Sequence, residues 1–266
     1  MTIDGVRCVQ KKTYIVFYID DFSDDIKSII RDQLSSICHG PSKASKKRVM
    51  YNYRNTVISF LERYKKKSSN LRIGMIGELL AHVLIHQFLS DFNTVSPFFN
   101  MEEKSIKKGF DIVVYSRGKN ELWITEVKSG ELHEKKNSNE TLKILLGKAK
   151  NDLITRLNEN EQSLWDNAIN GATVALDNET DIKNAVISIL EEVDESVVNQ
   201  SATSTDKNVI LVSTLFADLK DEITEKNIND FYTNTINEKK FRDLLVLAIQ
   251  KRTYEKVVAF LKEEAK

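Results

Sequence analysis

Residues 110–130 read FDIVVYSRGKNELWITEVKSG, two apolar and β-branched runs with a short polar segment between them. Runs of this kind are typical of β-strands, and the RGKN segment is typical of a hairpin loop. The sequence therefore predicts two antiparallel strands, at residues 110–116 and 121–128. The fold of the chain depends on this pair, because helical patterns precede it and follow it.

Charged residues lie at the ends of these strands, where a buried strand is normally apolar. Asp111 begins the first strand, and Glu126 and Lys128 end the second. Side chains alternate along a strand, so Glu126 and Lys128 point to one face of the sheet and Val127 to the other. The start of the first strand of a hairpin pairs with the end of the second. We therefore expect Asp111 to lie beside Glu126 and Lys128.

Two neighbouring carboxylates repel each other, and burying them without a partner is costly. A divalent cation removes both effects, and hard oxygen ligands suit Mg²⁺ or Mn²⁺. Such a cation polarises a phosphodiester and lowers the pKa of a bound water, while the Lys128 ammonium orients that water or stabilises charge on the phosphate. A structural ion pair explains the same residues, and several other acid-x-Lys triplets occur in the chain. Spacing alone leaves both interpretations open.

The apolar pattern of residues 72–89 predicts a helix that precedes the strands and contains Glu78. This helix would complete a metal site if it brought Glu78 to the same sheet edge, and the alternative is that Glu78 faces solvent. His82 and His86 follow Glu78 at i+4 and i+8, so the three lie roughly on one helical face. We expect a packed or solvated histidine pair rather than a zinc site, because the HExxH pattern is absent and no cysteine is nearby.

A glutamate in an apolar helix, an aspartate opening a strand (GFDIVV) and a strand ending in E-x-K (ITEVK) together resemble the PD-(D/E)xK, or restriction-endonuclease-like, nuclease superfamily. The resemblance implies an α/β fold with a restriction-endonuclease-like core, a central mixed β-sheet flanked by helices. It implies that Asp111 and Glu126 bind Mg²⁺ (or Mn²⁺) and that Lys128 is catalytic. Glu78 would assist as a catalytic residue and metal ligand, with the backbone carbonyl of Val127 as a further ligand. Phenylalanine replaces the proline of the superfamily's name.

More narrowly, GMIGELLAHVLIHQFL…KGFDIVVY…LWITEVKSG, at residues 71–157 of a 266-residue chain, resembles the HamA family. HamA is the nuclease subunit of the Hachiman anti-phage defence system. The resemblance implies a DNA nuclease effector that acts with a helicase partner, HamB, and we expect it to be restrained until activated. Two alternatives stay open: a stand-alone restriction or repair endonuclease, and a catalytically silent nucleic-acid-binding scaffold.

The charge distribution is uneven although the formal net charge is zero. Residues 43–72 contain ten Lys or Arg and one acid, whereas residues 173–200 contain seven acids and one base. Cations neutralise phosphates and aromatic rings stack on bases, so the basic run is a candidate DNA surface. Solvated helix faces explain both runs equally well. The acidic run and the N-terminal strands are candidate partner surfaces. The candidate nucleic-acid-binding residues are Lys46, Lys47, Arg48, Tyr51 and Tyr53, with Lys148 on a later helix.

Other patterns predict a mixed α/β layer of helices against a central sheet. We expect an N-terminal strand and helix region at residues 1–70. A nuclease domain at residues 71–266 would follow, with its core at 71–157 and a helical C-terminal part, in one compact unit. The remaining predictions are strands in 6–20, a helix at 20–37, a loop at 39–47, a helix at 49–66, a strand at 94–100, helices at 140–157 and 181–197, a strand at 208–214, and two helices that close the chain.

Cys8 and Cys38 are the only cysteines, and no CxxC pairing occurs. This excludes a disulfide framework and favours a reducing compartment. The N-terminal sequence lacks the apolar core of a signal peptide, and no apolar run reaches the roughly 18 residues that a membrane span requires. We expect a cytoplasmic protein that does not enter the membrane.

Overall fold

The two apolar runs at residues 110–130 form neighbouring antiparallel strands in a seven-stranded sheet. The structure is a computed structural model and describes residues 2–99 and 109–266. The strands are β1 (Val6–Gln10), β2 (Tyr14–Ile19), β3 (Phe92–Thr94), β4 (Ile112–Ser116), β5 (Glu121–Glu131), β6 (Asn208–Phe216) and β7 (Asp243–Lys251). The helices are α1 (Asp24–His39), α2 (Pro41–Ala44), α3 (Tyr53–Lys65), α4 (Ser69–Phe88), α5 (Ser138–Asn158), α6 (Gln162–Ala175), α7 (Thr180–Val198), α8 (Glu225–Asn237) and α9 (Glu255–Glu264).

The sheet is mixed, with strand order β1-β2-β7-β6-β5-β4-β3. Its four central strands, β2, β7, β6 and β5, are parallel, and β1, β4 and β3 pair antiparallel to their neighbours at the two sides. Parallel strands need helical crossovers, which cover both faces. The predicted central mixed sheet flanked by helices is confirmed.

A separate hydrophobic core fills each face of the sheet. Helices α1, α3, α4 and α9 cover one face, where Ile76 of α4 and Val127 of β5 belong to the same core. Helices α5, α6, α7 and α8 cover the other face, where Leu146 of α5 and Ile124 of β5 pack together. Strand β5 therefore has α4 on one side and α5 on the other.

Two sequence predictions are wrong. The strand predicted at residues 94–100 lies earlier, at Phe92–Thr94, and it ends before Pro97, whose missing N–H cannot continue a ladder. The closing segment contains β7 between its two helices. Residues of β7 are buried on both faces, so its sequence lacks the alternation that identifies a half-exposed strand.

Two helices were not predicted. The loop at residues 39–47 contains the four-residue helix α2, which begins with a proline at its first turn. Helix α6 has no counterpart in the sequence prediction. The division of the chain at residue 70 stays a prediction, although β2 of the N-terminal region pairs with β7 in the common sheet. Within the described ranges, the structure has no helix of the length and apolar character that crossing a bilayer requires.

Gly77 allows α4 to approach the sheet closely. A Cβ atom at this position would lie 1.9 Å from Ser129 Oγ and 2.6 Å from Ser129 Cβ. Thr214 Oγ1 of β6 also donates to the Gly77 carbonyl at 3.3 Å. The next residue on the helix is Glu78, so this close approach also fixes the distance between Glu78 and β5.

We expect Gly77→Ala to lower the free energy of unfolding by about 1–3 kcal/mol, because either the helix or β5 must move to accommodate the methyl group. Gly74→Ala is the matched control on the same helix, since its Cβ meets nothing within 4 Å. This control should be neutral or stabilising by up to about 1 kcal/mol. Urea unfolding of both variants measures the difference, and equal stabilities would contradict the close approach at Gly77.

Candidate active site

Strand β5 extends past the end of its neighbour β4. Their ladder ends at the pair Ile112 and Thr125, whereas β5 stays paired with β6 as far as Glu131. Beyond Thr125 one edge of β5 is therefore outside the β4 ladder. There the Asp111 carboxylate takes the place of a strand neighbour and accepts a hydrogen bond from the Val127 N–H at 2.8 Å. The predicted convergence of Asp111 with the end of the second strand is confirmed.

A cleft of about 640 Å³ opens at this edge, between α4 and α5. Its charged lining has five acids and three bases, a balance of −2 if all are ionised. This excess of negative charge is what one divalent cation would neutralise. The acids are Glu78, Asp111, Glu126, Asp152 and Glu161, and the bases are Lys67, Lys128 and Arg156.

Glu126 is the buried centre of an ionic network. The residue is 2% exposed. Its Oε1 atom accepts from Lys128 Nζ at 2.7 Å, and its Oε2 atom accepts from Arg156 Nη1 at 2.7 Å. Lys128 Nζ lies 2.8 Å from Asp152 Oδ2 as well. The carboxylate is thus held between two cations, as a buried charge requires.

Burial and, to a smaller extent, the nearby Asp111 carboxylate raise the pKa of Glu126 to about 7, against the opposing effect of Arg156 and Lys128. Burial alone would favour the neutral amine of Lys128. The carboxylates of Glu126, Asp152 and Asp111 outweigh this effect and raise the Lys128 pKa above its ordinary value. Lys128 is therefore a stable ammonium at neutral pH, whereas Glu126 is close to its midpoint.

The donor set at this edge fits a hard divalent cation. Asp111 and Glu126 are near enough for one carboxylate to disfavour ionisation of the other, which a shared cation would reverse. Among residues 2–99 and 109–266, no group of three or more His, Cys, Asp or Glu side chains is arranged to hold a metal. Mg²⁺ commonly needs only one or two carboxylates, with water in its other positions. Two carboxylates and a backbone carbonyl satisfy that requirement.

Glu78 lines the same cleft, but it comes from α4, on the face of the sheet opposite to the one that Glu126 faces. It is half-buried on α4 and lines the cleft together with Asp111, Glu126 and Lys128. Helix α4 packs against the face of β5 that carries Val127. Glu78 therefore reaches the cleft at the edge of β5 that extends beyond the β4 ladder. The four predicted catalytic residues are brought together, and their catalytic and metal-binding roles stay predictions.

Of the two histidines that follow Glu78, only His82 belongs to the core. His82 is fully buried, and its ring packs edge-on against Phe98 at 5.6 Å between centroids. His86 is exposed at the end of the same helix. Partial or full burial lowers the pKa of both rings, that of His82 to about 3, so both are neutral at physiological pH.

The predicted basic DNA surface lies outside the lining of the cleft. Lys47 and Arg48 are exposed, and Lys46 forms an ion pair with Asp177 at 3.2 Å. The Tyr51 ring packs on His39 at 5.1 Å between centroids, and Tyr53 packs against the core that α1, α3, α4 and α9 cover. The roles of these five residues in nucleic-acid binding stay predictions.

Lys148 is exposed on α5, one turn before Asp152. It is therefore beside the cleft without lining it. Its neighbour Lys150 points elsewhere and pairs with Glu238 at 2.8 Å. Contact of Lys148 with a phosphate stays a prediction.

Two cleft residues of α5, Asp152 and Arg156, were missed by sequence reasoning. Arg156 donates to Glu126 through Nη1 and to the Gly109 carbonyl through Nη2, and its guanidinium lies 5.2 Å from the centre of the Phe110 ring. It therefore ties the segment that carries Asp111 to β5. The i,i+4 spacing of Asp152 and Arg156 was visible in the sequence, but which face of α5 met the strand was not.

The family model of HamA matches residues 5–265, nearly the whole chain. The chain belongs to the HamA family. The match includes the N-terminal strands and the C-terminal β7 and α9, well beyond the segment in which the motifs occur. Membership of the HamA family supports a role in Hachiman anti-phage defence. A search of curated proteins found no match.

We expect Arg156→Gln to lower the free energy of unfolding by about 3–5 kcal/mol at pH 8, because it leaves the buried Glu126 carboxylate with one cation fewer. Lys150→Gln is the matched control on the same helix. It removes a more exposed pair with Glu238 and should cost no more than about 1 kcal/mol. Urea unfolding measures both, and equal losses would show that Arg156 does not stabilise the buried carboxylate.

Proposed function

We propose that this HamA-family protein is a metal-dependent DNA nuclease that hydrolyses phosphodiester bonds as the effector of Hachiman defence, under the control of a partner helicase of the HamB type. The observation that carries the proposal is the buried Glu126 carboxylate beside Asp111, paired with Lys128, in an open cleft. The E-x-K strand and the preceding aspartate resemble the motif of the PD-(D/E)xK nucleases. Family membership supports the defence role.

The metal would be held by Asp111 and Glu126, with the Val127 carbonyl and Glu78 as further donors. When bound, Mg²⁺ or Mn²⁺ supplies Lewis-acid polarisation of the phosphate and a water of lowered pKa. Its binding requires Glu126 to lose its proton and to exchange at least one of its two cationic partners. The partner released, Arg156 or Lys128, would then be available for the negative charge of the substrate.

In the metal-free fold Lys128 holds its proton, because the surrounding carboxylates raise its pKa. Its ammonium would donate to the attacking water or to a non-bridging phosphate oxygen, where negative charge grows as the water oxygen bonds to phosphorus and the P–O bond to the leaving group breaks. Asp152 contacts the same Nζ atom at 2.8 Å and would fix its direction. The chain thus contributes orientation and charge stabilisation.

The proposal predicts that Mg²⁺ stabilises the protein more at pH 8 than at pH 6. The pKa of Glu126 is raised to about 7 in the metal-free fold. The stability that this shift contributes is therefore fully present when the pH is below the ordinary pKa of a glutamate, and it is lost as the pH rises through 7. Metal binding needs the ionised form, and the apparent Mg²⁺ affinity should rise by up to about tenfold per pH unit below 7. Thermal unfolding with and without Mg²⁺ measures this.

Glu126→Gln is the control for that measurement, because the amide keeps the shape of the side chain and does not titrate. It should remove the pH dependence of the Mg²⁺ effect between pH 6 and 8. Equal Mg²⁺-induced shifts in the wild-type protein at both pH values would contradict the assignment of Glu126 as a ligand.

The test of activity is Mg²⁺-dependent cleavage of linear, circular and single-stranded DNA, with and without a HamB-type helicase. Glu126→Gln and Lys128→Met should each lower the rate by at least about 100-fold, as the loss of a residue that stabilises transition-state charge does. Glu238→Gln is the control, since it removes a Glu–Lys pair outside the cleft. Cleavage that both cleft variants retain would place the active site elsewhere. DNA binding without cleavage in every condition would support the silent-scaffold alternative.

A further inference from the structure

Three consecutive lysines join the end of α3 to the turn before α4, next to the cleft. Lys65 ends α3, and Lys66 and Lys67 lie in the turn. The three, here called the lysine rim, are all exposed, whereas Glu126 is buried. Lys67 lines the cleft itself, so the rim adjoins the candidate metal-binding carboxylates through this residue.

The backbone of this turn is fixed. Arg72 of α4 donates from Nε to the Tyr64 carbonyl at 3.1 Å and from Nη2 to the Lys65 carbonyl at 2.7 Å. The Lys67 N–H also donates to the Tyr64 carbonyl at 3.2 Å. The lysine rim is thus presented from a held turn and not from a loose loop.

The lysine side chains have no visible role in folding. No ion pair between described residues includes any of the three, in contrast to Lys46, which is paired with Asp177. Adjacent ammonium groups repel one another, and an anion bound across them would relieve that repulsion. Three neighbouring ammonium groups suit a ligand with regularly spaced negative charges.

The charge of the cleft explains why a nuclease needs such a rim. The balance of −2 in the cleft already includes Lys67, so before a metal binds its floor repels a phosphate backbone. Exposed charges act over roughly 8 Å at physiological salt, so only cations at the cleft itself offset that repulsion. The lysine rim satisfies this condition because Lys65 and Lys66, which are not counted in that balance, are the chain neighbours of the cleft residue Lys67. The basic segment Lys46, Lys47 and Arg48 does not line the cleft.

We infer that the lysine rim binds the phosphate backbone of the DNA strand as it enters the cleft. The inference rests on the proposed nuclease function and names the substrate surface of that site. An acidic protein surface is the other class of ligand for three lysines. DNA is favoured because Lys67 shares a cleft wall with Glu78, so an anion on the rim adjoins the candidate catalytic residues.

The test compares two triple variants with the same change of charge, in the full-length chain. One is Lys65→Gln, Lys66→Gln, Lys67→Gln, and the matched control is Lys226→Gln, Lys239→Gln, Lys240→Gln, three exposed lysines outside the lining of the cleft. Fluorescence anisotropy with labelled single-stranded and duplex oligonucleotides, in the Glu126→Gln background, gives affinity between 50 and 200 mM salt. Thermal unfolding shows whether each variant is folded, and Lys67→Gln alone serves if the triple variant is not.

The rim variant should bind DNA at least about tenfold more weakly, and its slope of log affinity against log salt should fall by about two to three. The control should stay within about twofold of the parent in affinity. In the catalytically competent background the rim variant should raise KM for DNA and leave kcat within about twofold, because the rim binds substrate away from the reacting atoms.

Unchanged affinity and salt slope in the rim variant would overturn the inference, as would equal losses in the two triple variants. Loss of helicase co-purification with DNA binding intact would also overturn it, in favour of a protein partner. These outcomes leave the proposed function standing if the wild-type protein cleaves DNA. A wild-type protein that neither binds nor cleaves DNA, with or without the helicase, would instead overturn the proposed function.

Discussion

The Glu126 carboxylate, buried between Lys128 and Arg156, is the constraint on which the rest of the structure depends. A charge in that position is costly unless partners surround it, and each partner comes from a different part of the fold. Lys128 shares β5 with Glu126, and Arg156 comes from α5 and also binds the segment that precedes β4. Strands and helices must therefore be in place together before the network forms.

The sheet topology creates the place for this network. Strand β5 continues past β4 and leaves an edge at which Asp111 replaces a strand neighbour. Gly77 lets α4 approach one face of β5, and α5 covers the other. A cleft with carboxylates at its floor and lysines at its rim results from these three arrangements. The candidate catalytic residues and the opening of the cleft thus result from the same packing of strands and helices.

The hairpin register was predictable from sequence because alternation along two short strands leaves few ways to pair them. Asp111 and Glu126 therefore meet as expected, and Glu78 reaches the same cleft. Asp152 and Arg156 were not found, because the apolar stripe of α5 shows which face is buried but not which strand the polar residues beside that stripe will meet. Strand β7 was missed for a related reason: burial on both faces removes the alternation that marks a strand.

The basic residues show the same limit. A run of charge in the sequence does not reveal which of its members stand at the cleft, and the turn that carries Lys67 is placed by packing of α3 and α4. Lys46 is paired with an acid of a different segment, Asp177. Local composition predicted a phosphate-binding surface, but only the fold shows which of the basic residues line the cleft.

The most direct test of the metal centre is a crystal structure of the protein soaked with Mn²⁺ above pH 7.5, with anomalous diffraction recorded at the manganese edge. We expect an anomalous Mn²⁺ peak between the carboxylates of Asp111 and Glu126, with the Arg156 guanidinium displaced from Glu126. An Mn²⁺ peak elsewhere, or Arg156 still bonded to a metal-free Glu126 at saturating Mn²⁺, would contradict it.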